Sequence, residues 1–334
     1  MPDATGILAI GELNEDGSLG SVTGEVLAVA RRLAKDMGTP VTAALLGKGA
    51  AQRAPEAIAL GADRVLVSEA QALHEYQIDT YVAALEQVCK AANPQVVVAA
   101  KTLMGRDVAP LLAFRLGVPM MQDCIDVSVD SASHRVVATR PVYGDNAQAK
   151  VASPSDPQFV SIRPKSFEAL APDSSRRGEV VQAQVSVDAS MAKVKRVHVV
   201  KEPATGVKLE DARIVVSVGR GIGGPENLPP FQDLAKTLGA ALGASRPVCD
   251  AGWLDHSFQV GLTGKTIAPD LYITWAISGA SQHIAGCSGS KNIVAINKDA
   301  NANIFKEAKY GVVGDWKKVL PGFVAAVREL TAAS

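Results

Sequence analysis

Four short, uninterrupted apolar runs constrain the first third of the chain: "ILAIGEL" (7–13), "VTAALLG" (41–47), "RVLVSE" (64–69) and "VVVAAKT" (96–102). A strand with one face in water alternates apolar and polar residues. A run that is apolar throughout needs cover on both faces, as parallel strands have beneath helices. Stretches with helical spacing stand between these runs. "GEVLAVARRLAKDMG" ends on Gly38, the residue type that closes a helix in the left-handed conformation. "IDTYVAALEQVCKAANP" stops before Pro94, because the residue ahead of a proline avoids the helical region. The alternation predicts a doubly wound parallel sheet.

Beyond about residue 123 the pattern changes. "CIDVSVDSASHRVVATRPVYGDNAQAKV" and "QFVSIRP" read as period-2 strands joined by turn residues, a meander added to the first sheet. Residues 171–180 read as a polar loop and 186–208 as a linker, with the basic run "KVKRVHVVK" (193–201) a solvated edge strand. A second α/β pattern then begins. Its parts are a strand at 213–219, a Gly-rich turn, a helix through "FQDLAKTLGAALG", strands at 271–277 and 292–297, and a closing helix over 315–330. The expected fold class is α/β, with two domains, 1–200 and 201–334, each a mainly parallel sheet flanked by helices.

The 334 residues suffice for two separate cores. Lys+Arg and Asp+Glu balance at 34 each, so no net field draws in nucleic acid or a membrane surface. Aromatics, at 4%, leave few platforms for stacking bases. No apolar run approaches the roughly 20 residues of a bilayer span, and "MPDATGILAIGEL" lacks the basic and apolar regions of a signal peptide. The four cysteines are widely spaced, without a C-x-x-C pair, which suits buried thiols in a reducing compartment. A cytoplasmic protein without a structural metal is expected.

Candidate ligand-binding residues cluster in the second half. "GRGIGG" (219–224) gives Gly219, Gly221 and Gly224 the G-x-G-x-x-G spacing, in which backbone approaches a diphosphate at a helix N-terminus. Pro225 and "ENLPP" delay the helix, however, and no acidic residue follows about 20 positions on to take a ribose. A tight turn carrying Arg220 is the simpler reading. "GASRPVCD" (243–250) presents Ser245 and Arg246; a guanidinium suits a phosphate or an electron-rich ring edge, and a solvated loop arginine explains the segment equally well. "QVGLTGK" (259–265) offers Thr263 and Lys265, but Gly261 and Gly264 are too close for a P-loop.

"ISGASQHIAG" (277–286) sets His283 among small residues. A metal would need better partners than His256 and Cys287, and the G-x-S-x-G of a nucleophile elbow is missing. A structural histidine and a donor on a glycine-lined binding surface stay open. Asn297 ends a strand where open α/β sheets bind ligands, and Asp315 reads first as a helix cap. Together the four turns supply cofactor-holding groups without paired carboxylates, a Ser-His-Asp set or a cysteine nucleophile. They describe a carrier or a binding module; no catalytic residue is assigned.

At this point a resemblance is specific. "LYITWAISGASQHIAGCSGSKNIVAIN" (271–297), with "GASRPVCDAGW", "QVGLTGKTIAPDLY" and "YGVVGDW", resembles the alpha subunit of electron-transfer flavoproteins, and "RPVYGDNAQAKV" extends the likeness into the first half. The resemblance implies a Rossmann-like C-terminal domain that binds FAD. It also implies an N-terminal domain that meets a beta subunit, which completes the pocket and often holds a second nucleotide. The heterodimer would carry electrons from dehydrogenases, such as acyl-CoA dehydrogenases, to a quinone oxidoreductase or another acceptor.

The site residues it implies are Arg220, Ser245, Arg246, Val260, Gly261, Leu262, Thr263, Ser278, Gly279, Ala280, Ser281, Gln282, His283, Asn297, Asp315 and Trp316. By the same resemblance, Arg246 and His283 would face the flavin's electron-rich edge and favour an anionic semiquinone, and Thr263 would reach N5. Asp315 would contact the adenosine end, and the helix start after Gly279 the diphosphate. The 277–286 turn would stay small because a flat cofactor lies on it. Leu262 departs from the family's usual Gln. Alternatives are a subunit of an electron-bifurcating flavoprotein using NADH, an NAD-dependent oxidoreductase, or a non-redox interaction or nucleotide-sensing module.

Overall fold

The structure is a computed structural model that describes residues 4–332 apart from 144, 146, 195–196 and 198–206. The chain divides into two compact units, Met1–Val199 and Val200–Ser334. The first unit runs β1 (Ile7–Ile10), α1 (Ser21–Met37), β2 (Val41–Leu46), α2 (Ala50–Ala59), β3 (Arg64–Ser68), α3 (Ile78–Ala92), β4 (Val96–Ala100), α4 (Leu103–Leu116) and β5 (Met120–Cys124). It continues through β6 (Asp126–Val129), β7 (Val136–Val142), β8 (Ala147–Ala152), β9 (Gln158–Ile162) and β10 (Glu179–Gln182). Seven strands form one parallel sheet in the order β10-β3-β2-β1-β4-β9-β5.

The apolar runs form strands because both faces are covered. β1, β4 and β9 are buried at every position, between one core that includes Val26, Leu33 and Leu45 and another that includes Leu85, Leu112 and Phe159. Gly38 closes α1 at φ 63°, as its position predicts, and Asn93 closes α3 at φ 44° ahead of Pro94. The meander differs from expectation. β6, β7 and β8 form their own antiparallel sheet, while β9 returns to the parallel sheet between β4 and β5. An ion-pair cluster lies at the ends of these strands. Arg163 makes paired contacts to Asp123 at 3.0 and 2.8 Å and to Asp145 at 2.8 and 3.1 Å, and Lys101 reaches Asp123 at 2.9 Å. The expected polar loop at 171–180 ends in β10, which pairs with β3. The basic run 193–201 falls largely outside the described residues.

The second unit runs β11 (Ile214–Val218), α5 (Pro229–Thr237), β12 (Ala241–Ala244), α6 (Arg246–Asp250), β13 (Leu271–Trp275) and α7 (Ser281–Ile284). It ends with β14 (Ile293–Asn297), α8 (Ile304–Glu307), β15 (Tyr310–Val313) and α9 (Trp316–Ala332). Its five strands are parallel in the order β12-β11-β13-β14-β15. The helix expected to run through 231–243 stops at Thr237, turns at Gly239 (φ 59°), and resumes as β12. An aromatic cluster anchors α5 and α9 to the sheet: Phe231 packs on Trp275 and Trp316 at centroid distances of 5.5 and 5.2 Å, and Trp275 meets Phe323 edge-on. All four cysteines are free and buried.

Candidate functional site

The chain leaves β11 to form β12 on one side and later β13 on the other. Such a reversal opens a crevice beyond the carboxyl ends of the strands, where open α/β sheets take ligands. A cleft of about 610 Å³ occupies that place, within the range of small-molecule sites. Its wall draws on the turns after β11, β12, β13 and β14 and on the 259–263 loop.

Thirteen of the sixteen residues expected at a binding site line this cleft: Arg220, Ser245, Arg246, Val260, Gly261, Leu262, Thr263, Ser278, Gly279, Ala280, Gln282, His283 and Asn297. Ser281, Asp315 and Trp316 stand outside the lining. Asp315 caps α9, its Oδ1 accepting from the Lys317 N–H at 2.9 Å, and Trp316 packs on Phe231. The lining also takes in Gln259, Ala276, Ile277, Asp299 and Ala302, residues whose types carry no local signal of a site.

The small residues answer to backbone packing before any ligand. A Cβ on Gly219 would stand 2.1 Å from the Ala276 carbonyl oxygen, so the β11 turn needs glycine to lie against the β13 turn. Gly279 has φ +77°, and a Cβ there would meet the Ile304 N at 2.3 Å. The "GRGIGG" stretch forms a short 3-10 turn over Arg220–Ile222, and α5 starts only at Pro229. The glycines thus bring no long helix to the turn, and the dinucleotide fingerprint is not assembled. α7 after Gly279 is a single turn of four residues.

Side-chain contacts fix much of the wall. Asn297 donates from Nδ2 to the Ile277 carbonyl at 2.8 Å and accepts the Asp299 N–H at 3.0 Å, which ties the β13 and β14 turns together. Leu262, half-exposed, is held by its N–H on the Gln282 carbonyl at 2.7 Å. Gln259 donates from Nε2 to Thr263 Oγ1 at 3.0 Å. Arg246 is exposed, its Nε 3.2 Å from Asp250.

His283 is buried and meets the Tyr272 hydroxyl at 2.8 Å through Nε2. Its Nδ1 is enclosed without a hydrogen-bond partner of ordinary geometry. Burial pushes the imidazole pKa down to about 4, with the Val260 backbone opposing the shift, so the ring is neutral at neutral pH. That excludes a standing positive charge there. Among the described residues no cluster of three His, Cys, Asp or Glu could hold a metal ion.

The donor set fits a flat, anionic cofactor. A buried imidazole nitrogen lacks a partner of ordinary geometry among the described residues, two arginines bring charge, and a hydroxyl with its acceptor oxygen already engaged is left to donate. Comparisons with known proteins agree with this geometry. Residues 7–188 match the Electron transfer flavoprotein domain, and residues 208–288 match the Electron transfer flavoprotein FAD-binding domain. The chain is 42% identical to the Electron transfer flavoprotein subunit alpha of Bacillus subtilis (strain 168), over 98% of this chain and 99% of that protein. It is 40% identical to the subunit of the same name from Thermoanaerobacterium thermosaccharolyticum, over 94% of this chain and 96% of that one. It is also 32% identical to Lactate dehydrogenase (NAD(+),ferredoxin) subunit LctC of Acetobacterium woodii, over 93% of this chain and 74% of that protein. The chain belongs to the family of electron transfer flavoprotein alpha subunits.

Proposed function

We propose that the cleft holds FAD and that the chain is the FAD-carrying half of a heterodimer with an electron-transfer flavoprotein beta subunit. The observation that carries this reading is the buried His283, whose Nδ1 has no partner of ordinary geometry among the described residues, on a cleft wall that also bears two arginines. FAD bound there would supply the redox chemistry, accepting and releasing electrons. The chain's own residues bind and orient it. Arg220 and Arg246 bring permanent positive charge to the cofactor's anionic and electron-rich parts. His283, neutral and buried, offers a hydrogen bond without adding charge. Thr263 offers its hydroxyl proton, since its oxygen already accepts from Gln259. Ser245 and the backbone of 260–263 and 278–282 complete the wall. Asp299 suits a hydroxyl better than a phosphate.

The donors in this reading are flavin dehydrogenases, acyl-CoA dehydrogenases among them, and the acceptor is a quinone oxidoreductase or a comparable protein. Residues 1–200 form the face toward the beta subunit. The heterodimer works in the cytoplasm; among the described residues no helix is long and apolar enough to cross a membrane. Purified with its beta subunit, the complex should show visible flavin absorbance that bleaches when an acyl-CoA dehydrogenase and its substrate are added. Flavin that never bleaches with any such dehydrogenase overturns the carrier role.

A second reading has one observation in its favour, the likeness to a subunit of an NAD(+)- and ferredoxin-named dehydrogenase. In it the chain serves an electron-bifurcating complex that uses NADH. Two flavins per heterodimer, reducible by NADH alone, would select that reading over simple transfer.

A further inference from the structure

Tyr272 lies on β13 at 0% exposure, with its ring stacked near His283 at a centroid distance of 6.1 Å. Its hydroxyl is 2.8 Å from His283 Nε2. Ser217, on the neighbouring strand β11, is the other polar side chain beside that hydroxyl, yet its Oγ makes no hydrogen bond of ordinary geometry. Burial keeps the phenol protonated. A buried hydroxyl proton needs an acceptor, and Nε2, at 2.8 Å, is the one that meets it with ordinary geometry, Ser217 Oγ lying beside it without such a bond. If Nε2 carried the proton instead, it would donate to the phenol oxygen and leave the tyrosine's own proton only the poorly placed Ser217 Oγ. A neutral imidazole has one protonated nitrogen, so a proton donated into Nε2 leaves the ring's own proton on Nδ1. That nitrogen has no partner of ordinary geometry among the described residues, the Val260 backbone lying beside the ring.

We infer that Tyr272 is a positioning residue for the cleft: its hydroxyl fixes His283 as the Nδ1–H tautomer, and so decides that the histidine meets the cleft's occupant as a hydrogen-bond donor. The inference rests on the FAD reading of the cleft for the identity of that occupant, but not for the tautomer. Second-layer contacts of this kind set which histidine nitrogen is available to a ligand. Sequence alone did not single out Tyr272, because an aromatic residue inside an apolar strand reads as core.

The test uses the full chain in its heterodimer, labelled with 15N-histidine. The chain holds five histidines, so His283 is assigned by the signal lost in His283→Gln. In the wild-type complex, with flavin removed and with flavin bound, the His283 proton is expected on Nδ1. Tyr272→Phe should move it at least partly to Nε2 and lower FAD affinity about tenfold, and should cost nothing further in a His283→Gln background. A wild-type proton on Nε2 overturns the inference without any variant, which covers the case in which Tyr272→Phe does not fold. So does a Tyr272→Phe protein that keeps the Nδ1–H tautomer, or one whose affinity loss is as large without His283 as with it. A tautomer that moves as expected while FAD affinity stays constant upholds the positioning by Tyr272 and overturns the flavin reading of the cleft.

Discussion

Gln259 donates its amide to Thr263 Oγ1 at 3.0 Å, and its own Oε1 lies 3.1 Å from His256 Nδ1. The pairing engages the threonine oxygen as an acceptor and leaves the hydroxyl proton for the cleft. Gln259→Glu keeps the shape but can only accept, so it turns that proton away from the cleft. FAD affinity of the flavin-stripped heterodimer should fall about tenfold, or roughly 1.4 kcal/mol, by fluorescence titration. Gln259→Leu, which frees the hydroxyl without recapturing it, should fall less.

His283 titrates near 4 in the fold against 6.5 for an unburied histidine. The unfolded chain therefore binds more protons between those values, and stability rises with pH through that window. The contribution is complete above about pH 6.5 and lost as pH falls to 4. In urea unfolding of the flavin-stripped protein, His283→Gln should remove about 2–3 kcal/mol of that rise. An unchanged slope would mean that the imidazole is not desolvated.

Glu12 shifts the opposite way. Burial raises its carboxyl to about 7, while the hydroxyl of Thr102, 2.6 Å away, opposes the shift. The residue as a whole is only half-buried, but the carboxyl is enclosed. Here the native state holds the extra proton between 4.5 and 7, so stability falls as pH rises through that window. Glu12→Gln keeps an acceptor for Thr102 and should be more stable than wild type by about 2–3 kcal/mol at pH 8, with the difference vanishing at pH 4.5.

Ala276 lines the cleft at φ 55°, in the left-handed region. A side chain there costs about 1–2 kcal/mol, partly offset by the greater freedom of glycine in the unfolded chain. Ala276→Gly should raise the unfolding free energy by about 0.5 kcal/mol and Ala276→Val should lower it by at least about 1 kcal/mol. Denaturant midpoints decide it.

The parallel strands were legible because continuous burial writes itself as continuous apolar sequence, as at Val96–Ala100. β12 was not: "ALGA" continues the small-residue pattern of the preceding helix, and Gly239 is the one local sign of a break. β15, "YGVV", is apolar but only four residues long and exposed along its whole length, so its sequence does not set it apart from a turn. The four cleft turns could be read from glycine and serine at strand ends. The packing behind them could not be read, since Gly219 and Gly279 serve loop-on-loop contacts that the sequence does not display. Gln259, Tyr272 and Asp299 stayed hidden, because each acts through a contact that exists only in the folded chain.

The central claim, that this cleft holds FAD, is tested most directly by titrating FAD into the flavin-stripped heterodimer, with wild type beside Arg246→Ala and His283→Gln. The account predicts one FAD bound at this chain's cleft, with each substitution weakening it at least about tenfold. Wild-type affinity in both variants, or no FAD bound by wild type, would contradict it.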